Sequence, residues 1–246
     1  MSDQRATTSW LVRLLARVRD WAIGQPVLLI TLLVIVLGVW AFAELADEVI
    51  EGETVTFDEW VTLKLRTADA PAEPIGPPWV ERVAMDITAL GGYTVLTLLV
   101  LAVAGYLLLA RKRHAMWLVL LASGTGWALT MGLKEIFGRE RPSIVPHLVQ
   151  EQSLSFPSGH AMMSAVVYMT LGVLLAQLVE RWTLRIYSLL LAVAATFLIG
   201  LSRVFLGVHY PTDVLAGWSA GLTWAVLCWL VARSLQRRGV LEKPQE

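Results

Sequence analysis

Six long apolar runs dominate the sequence and restrict the folds open to this chain. A helix needs about 20 apolar residues to cross the hydrocarbon core of a bilayer, and most of the runs reach about that length. Backbone inside a bilayer must satisfy its own hydrogen bonds, so several such runs predict a bundle of spanning helices. The hydrophobic content of 56% and the mean hydropathy of +0.61 exceed those of an ordinary soluble domain. The runs cover residues 26–43, 87–110, 115–133, 161–179, 186–201 and 214–232.

The sequence therefore predicts an all-α polytopic membrane protein with six transmembrane helices, carried by one domain over residues 26–235. Six crossings put both termini on the same side of the membrane. Lysine and arginine are more numerous in the segments on that side, and the positive-inside rule then assigns it to the cytoplasm. The net charge of +0 provides no overall positive field that would attract nucleic acid. The apolar spans make membrane lipids the expected partners. The single cysteine, Cys228, lies in an apolar run and excludes an intrachain disulfide.

Residues 1–25 have the pattern of an interfacial segment. Apolar residues recur there at helical spacing, and three arginines lie off that stripe, which predicts an amphipathic helix on the cytoplasmic membrane surface. A signal peptide is the alternative, because Ala41-Phe42-Ala43 follows the first apolar run. Residues 236–246 are expected to form a cytoplasmic tail.

Residues 44–86 separate the first two spans and are rich in acidic residues and prolines. We expect an outer loop here, with one short helix over residues 57–66. Two interpretations of this loop stay open at this point. It is either a solvated connector or a lid that shapes the entry of a substrate.

Three polar segments interrupt the apolar pattern, and each adjoins the end of a run. They span residues 134–142, 157–160 and 202–213. An ionisable residue within a span costs roughly 2.5–3.5 kcal/mol on insertion scales, so such residues usually serve a function. The span count places all three segments on the outer side of the membrane, where their side chains can form one site.

The segment Pro157-Ser158-Gly159-His160 precedes the fourth span. Ser158 suits the N-cap of that helix, and Gly159 lets backbone approach a ligand closely. The free N–H groups and dipole of a helix start favour an anion. This predicts an anion site with His160 on the first turn beside it.

Two cations accompany the end of the third span. Lys134 ends that run, and Arg141 follows seven residues later, directly before Pro142. If the helix continues, seven residues make about two turns and return to one face. Lys134 and Arg141 would then point at the same ligand, although cations near a span end also extend simply to reach lipid headgroups.

The third segment contains Arg203, His209 and Asp213. His209 and Asp213 are four residues apart, a spacing that permits contact even though Pro211 lies between them. A carboxylate bonded to one imidazole nitrogen fixes the tautomer and raises the basicity of the other nitrogen. The pair therefore predicts an activated nitrogen nucleophile.

Together these residues resemble the type 2 phosphatidic acid phosphatase superfamily of lipid phosphate phosphatases, in its bacterial integral-membrane form. Its pattern is Lys-x6-Arg-Pro, Pro-Ser-Gly-His and Ser-Arg-x5-His-x3-Asp. The matching positions run from Lys134 to Pro142, from Pro157 to His160 and from Ser202 to Asp213. The resemblance covers about residues 85–235.

The resemblance implies a hydrolase that works through a phosphohistidine. His209 would attack phosphorus, Asp213 would orient His209, and His160 would protonate the leaving group. The phosphoryl oxygens would be held by Lys134, Arg141, Ser158, Gly159 and Arg203. Three cations can stabilise a phosphoryl transition state without a metal, and no acidic cluster suited to Mg²⁺ is evident on that side. We therefore expect no metal and no other cofactor.

The expected substrate is a lipid phosphate or diphosphate whose tail stays in the bilayer. The family implies undecaprenyl diphosphate, phosphatidylglycerol phosphate, phosphatidic acid and lysophosphatidic acid as candidates, and undecaprenyl diphosphate or a broad range is favoured here. The expected location is the bacterial inner (cytoplasmic) membrane, with the site facing the periplasm or outside.

Three other functions fit parts of the pattern. A lipid phosphotransferase would use the same site and pass phosphate to a second lipid. The family also includes vanadium haloperoxidases, but these are generally soluble, unlike a chain with six spans. A lipid-phosphate binding or transport protein would not need two histidines and an oriented His-Asp pair.

Overall fold

The structure is a computed structural model that describes residues 26–151 and 153–237. These residues form eight helices and one antiparallel hairpin, in which Arg66 pairs with Pro74 and Thr67 with Ala70. In chain order the elements are α1 (Pro26–Glu51), α2 (Val55–Lys64), β1 (Arg66–Thr67), β2 (Ala70–Pro74), α3 (Pro78–Leu90), α4 (Tyr93–Leu109), α5 (Arg113–Phe137), α6 (Gly159–Leu178), α7 (Trp182–Phe205) and α8 (Pro211–Arg237).

Six membrane spans account for most of the described chain. Helices α1, α5, α6, α7 and α8 are each long and apolar enough to cross a bilayer, and α3 with α4 forms a bent pair that passes the same test. The prediction of an all-α, six-span membrane protein is confirmed. The predicted amphipathic helix at 1–25 lies outside the described residues, as does the predicted tail at 236–246 from residue 238 onward.

The second span is broken. The sequence predicts one helix over residues 87–110, but α3 ends at Leu90, α4 begins at Tyr93, and the two are bent by 46°. Gly91 lies at this break against α7, where an added Cβ would stand only 2.3 Å from Cγ2 of Ile199. Two consecutive glycines weaken the helix, and the missing side chain at Gly91 allows this close approach.

Helix α6 lies at the centre of the bundle and packs against α7, α8 and α5. Its first half, from Gly159 to Val167, is buried except for the partly exposed His160. The N-terminus of this helix is therefore surrounded by protein, so the residues at its start occupy a fixed position.

The residues between the first two spans fold into a cap over one end of the bundle. Helix α1 continues to Glu51, and the predicted short helix is present as α2. Although the segment is acidic and mostly exposed, α2 buries Asp58 and Thr62 on one face. That face lies against the start of α8, where the backbone N–H of Thr212 donates to Asp58.

Candidate active site

The three polar segments converge at one end of the bundle. They come from the end of α5 and the loop that follows it, from the start of α6, and from the connection between α7 and α8. Contacts between the segments join them directly, since Arg141 reaches His209 and the backbone of Ser158 reaches that of Asp213.

Ser158 is the N-cap of α6, as the sequence predicts. Its side-chain oxygen accepts from the backbone N–H of Ala161 at 3.5 Å, and its own N–H donates to the carbonyl of Asp213 at 2.9 Å. Gly159 is the first helical residue, and a Cβ there would lie 2.5 Å from the hydroxyl of Tyr93. The start of α6 is thus held against α8 and α4, with its positive dipole end directed at the site.

His209 and Asp213 form a buried pair. Nδ1 of His209 lies 3.3 Å from Oδ2 of Asp213, and the two side chains are 1% and 0% exposed. The same oxygen accepts from the backbone N–H of Tyr210 at 2.9 Å and from the hydroxyl of Ser155. A carboxylate facing Nδ1 favours the tautomer with its proton on that atom, which leaves a lone pair on Nε2.

Arg141 stands on the other side of the imidazole. Its Nη1 lies 3.1 Å from Nε2 of His209 and donates to the carbonyl of Val208 at 2.6 Å. Burial, and then the positive charges of Arg141, Arg203 and Lys134, lower the pKa of His209 well below its ordinary value. His209 is therefore neutral near pH 7, with its free nitrogen beside a cation.

Arg141 does not lie on a continued helix. Helix α5 ends at Phe137, and Gly138 follows in the left-handed conformation with φ of +60°. The condition under which Lys134 and Arg141 would share one helical face is therefore not met, because a glycine in this conformation ends a helix. An irregular segment brings Arg141 to the site instead, while Lys134 stays on the last turn of α5 and donates to the carbonyl of Leu154.

Glu151 occupies the space between two of the cations. Its carboxylate is bonded to Nη2 of Arg203 and lies 3.6 Å from Nη2 of Arg141. Arg203 is 1% exposed, and its Nε has no hydrogen-bond partner among the described residues. No role for Glu151 follows from the sequence, because one acidic residue in a polar loop carries no distinguishing pattern.

His160 stands on the first turn of α6, beside the break in the second span. Its ring centroid is 6.1 Å from that of Tyr93, and its Nε2 would lie 3.9 Å from a Cβ built on Gly92. An aromatic ring and the bare backbone at Gly92 therefore border the imidazole.

Arg139 is a further residue of the site. Its Nη1 lies 2.6 Å from Oδ1 of Asp213 and its Nη2 lies 2.7 Å from Oδ2 of Asp58. The guanidinium also stands 4.5 Å from the ring centroid of Tyr210. Burial lowers the pKa of Arg139, but its attraction to Asp213 and Asp58 outweighs burial and the net pKa is raised.

The sequence singles out eight site residues in the three polar segments, and the structure places all eight at the same end of the bundle. It adds Arg139, Glu151, Ser155 and Asp58, which sequence reasoning missed; only Arg139, two positions before Arg141, lay within a recognised motif. Within residues 26–151 and 153–237, no group of three or more His, Cys, Asp or Glu side chains is arranged to hold a metal ion.

Comparison with known proteins identifies relatives. The sequence model of the PAP2 superfamily matches residues 115–237. Phosphatidylglycerophosphatase B of Bacillus subtilis is 39% identical over 151 residues, which cover 60% of this chain and 73% of that protein. Decaprenylphosphoryl-5-phosphoribose phosphatase of Mycobacterium tuberculosis is 32% identical over 166 residues, or 64% of this chain and 86% of that one.

A solved structure also resembles this fold. The crystal structure of a transmembrane PAP2-type phosphatidylglycerolphosphate phosphatase from Bacillus subtilis superposes with a TM-score of 0.75. The two chains are 32% identical, and the match covers 82% of this chain and 98% of the other.

Proposed function

This chain belongs to the PAP2 superfamily, and from that membership we propose that it hydrolyses phosphomonoester or diphosphate headgroups of membrane lipids through a phosphohistidine intermediate. The observation that carries the proposal is the placement of His209. Its Nδ1 faces Asp213 at 3.3 Å and its Nε2 faces Arg141 at 3.1 Å. A neutral imidazole oriented by a carboxylate, with its free nitrogen beside a cation, suits attack on an anionic phosphoryl group.

In the first step, Nε2 of His209 forms a bond to phosphorus as the bond to the leaving oxygen breaks. The electron pair goes to the leaving oxygen, and protonated His160 donates a proton to it. Asp213 stabilises the positive charge that develops on the imidazole, whose Nδ1 keeps its proton.

In the second step, neutral His160 accepts a proton from water as the water oxygen attacks phosphorus. The N–P bond breaks, its electron pair returns to Nε2 of His209, and inorganic phosphate leaves. Together the two chemical steps return both histidines to their starting protonation states, so one pair of imidazoles completes the cycle.

The remaining residues hold the phosphoryl oxygens. Lys134, Arg141 and Arg203 supply positive charge around the site, and Ser158 with the N–H of Gly159 adds donors at the positive end of α6. A loose phosphoryl transition state is stabilised mainly by positioning and by charge on its equatorial oxygens. Three cations serve that purpose without a metal ion.

The substrate that we favour is phosphatidylglycerol phosphate. A sequence relative and a solved structure, both from Bacillus subtilis, are named for it, and another relative is named for a lipid that carries a phosphorylated ribose. The lipids in these names share a terminal phosphomonoester on a polar spacer. That spacer would let the phosphate reach the cations while the lipid tail stays between the spans. Undecaprenyl diphosphate and phosphatidic acid are the alternatives that a test must include.

The protein is an integral membrane protein, and we propose that both termini lie in the cytoplasm. The phosphatase domain would then extend over 26–235 and open its site to the periplasm or the outside of a bacterial inner membrane. The excess of lysine and arginine on the side of the termini supports this orientation.

The test is phosphate release by the purified protein in detergent with EDTA present. Phosphatidylglycerol phosphate, undecaprenyl diphosphate and phosphatidic acid are offered in parallel, with His209→Ala as the control. We expect release by the wild type, fastest from phosphatidylglycerol phosphate, and none by the variant. Appearance of a new phosphorylated lipid without free phosphate would instead indicate a transferase.

A further inference from the structure

We propose that Asp58, on the cap helix α2, is a positioning residue for catalysis that acts on Asp213 through Arg139. The inference rests on the proposed phosphatase function and extends it to a segment with none of the family's motifs. It also gives the segment at 44–86 a definite role, since one buried carboxylate there forms part of the support of the His209–Asp213 pair.

The guanidinium of Arg139 bridges two buried carboxylates. Nη2 lies 2.7 Å from Oδ2 of Asp58, and Nη1 lies 2.6 Å from Oδ1 of Asp213. Both aspartates are 0% exposed, whereas the side chain of Arg139 is 14% exposed. A buried carboxylate needs a charged or hydrogen-bonding partner, and here one planar guanidinium serves two of them.

A second set of contacts joins Asp58 to the residue before Asp213. The backbone N–H of Thr212 donates to Oδ1 of Asp58 at 3.1 Å, and the Thr212 hydroxyl donates to Oδ2 at 2.6 Å. Thr212 is the second residue of α8, so Asp58 provides from another helix the carboxylate that usually caps a helix start. Asp58 therefore fixes both the arginine and the first turn that carries Asp213.

The two oxygens of Asp213 have separate partners. Oδ1 is held by Arg139, and Oδ2 faces Nδ1 of His209 while accepting from Ser155 and Tyr210. Fixing Oδ1 sets the rotation of the carboxylate and so aims Oδ2 at the imidazole. Without Asp58, Arg139 keeps only one of its two carboxylate partners. The orientation of the Asp213 carboxylate then becomes less defined.

This arrangement predicts a defect in chemistry rather than in substrate binding. Asp58 contacts no residue that we assign to the phosphoryl oxygens, so its removal should leave KM nearly unchanged. The rate should fall because the imidazole is oriented less well, and residues that support an active-site ligand from outside typically change activity by about 10- to 100-fold.

The experiment compares Asp58→Asn with the wild type and with Glu53→Gln, in detergent, using phosphatidylglycerol phosphate. Glu53 is an exposed acid just before α2, so its substitution removes the same charge without touching the network. The rate is divided by the number of sites that bind orthovanadate, so that only protein with a folded phosphate pocket is counted. We expect Asp58→Asn to lower kcat about 10- to 100-fold with KM within about twofold of the wild type, and Glu53→Gln to match the wild type.

A double-variant cycle separates positioning from general stability. In an Asp213→Asn background, Asp58→Asn should cause little further loss, because the group through which it acts is already changed. Arg139→Lys is the second variant; it keeps a cation but replaces the planar guanidinium, whose two nitrogens face different carboxylates, with a single ammonium nitrogen, so it should reproduce the fall in kcat.

Several results would overturn the proposal. An unchanged kcat per site for Asp58→Asn, a change confined to KM, or fully additive losses in the double variant would each do so. The proposal would also be overturned if both Asp58→Asn and Arg139→Lys failed to fold, since the contacts of Asp58 with Arg139 would then serve folding alone. If neither the wild type nor Glu53→Gln releases phosphate, the proposed phosphatase function itself fails, and that result is distinct from a loss restricted to Asp58→Asn.

Discussion

The carboxylate of Glu151 is bonded to the guanidinium of Arg203, one of the three cations assigned to the phosphoryl group. In the proposed site, an internal anion thus occupies a position beside Arg203 that a phosphoryl oxygen would take. A substrate phosphate must compete with Glu151 for Arg203, and the side chain of Glu151, at 22% exposed, has a path to solvent.

Glu151→Gln should therefore bind orthovanadate more tightly. Removing a competing carboxylate from a partly exposed ion pair is worth up to about 1 kcal/mol, or about fivefold in the inhibition constant. Glu140→Gln is the matched control, because Glu140 is exposed and lies in the same loop. Weaker inhibition of Glu151→Gln by vanadate would show that Glu151 instead holds Arg203 in place.

His160→Ala should slow the release of lipid alcohols far more than that of a good leaving group. Loss of a general acid typically costs about 10²- to 10⁴-fold when the leaving oxygen is basic, and much less when it is not. The measurement compares phosphatidylglycerol phosphate with p-nitrophenyl phosphate, and His114→Ala, at the start of α5, serves as control. Equal losses on both substrates would remove His160 from the role of acid.

The pH dependence should show a nucleophile that resists protonation. Burial, followed by the charge of Arg141, lowers the pKa of His209 well below 6.5. The neutral imidazole is the active form, so the acid limb of kcat/KM due to His209 should lie well below pH 6.5. Arg141→Gln removes one of the charges, so it should move that limb to higher pH relative to the wild type with the same substrate. A limb that stays in place would contradict the electrostatic assignment.

The same shift affects stability. The pKa of His209 is lower in the folded than in the unfolded state, so the unfolded state binds more protons once the pH falls below about 6.5. The contribution of this residue to stability is therefore present above that pH and is lost as the pH falls below it. Thermal unfolding of the wild type and of His209→Gln between pH 5 and 8 measures this: the variant should lose less stability on acidification.

Activity should be insensitive to chelators. We assign charge neutralisation to Lys134, Arg141 and Arg203, so overnight treatment with EDTA should leave kcat unchanged, and added Mg²⁺ should not raise it. Loss of activity with EDTA that Mg²⁺ restores would require a metal in the reaction.

The number of spans and the grouping of the motifs were predictable because both follow from hydropathy and spacing along the chain. The break at Gly91 was not, since apolar residues continue on both sides and the cause is the contact with Ile199 of α7. The spacing of Lys134 and Arg141 alone leaves open whether the helix continues between them, although Gly138, between Phe137 and Arg139, is a signal for a helix end.

Asp58 could not have been found from the sequence. It lies in a segment rich in acids, where one carboxylate looks like the others, and it is distinguished only by its contacts with Arg139 and Thr212. Those partners are far away along the chain, so only the folded structure brings them together. The same reason hid Glu151, which lies in an irregular segment while its partner Arg203 stands on α7.

The central claim is that His209 carries the phosphoryl group during turnover. The most direct measurement is an alkaline quench of the reaction with phosphatidylglycerol phosphate, followed by mass spectrometry of the peptide that contains residues 204–213. Our account predicts phosphate on His209 during turnover, and none before substrate is added or in His209→Ala. Phosphate on another residue, or steady release of phosphate by His209→Ala, would contradict it.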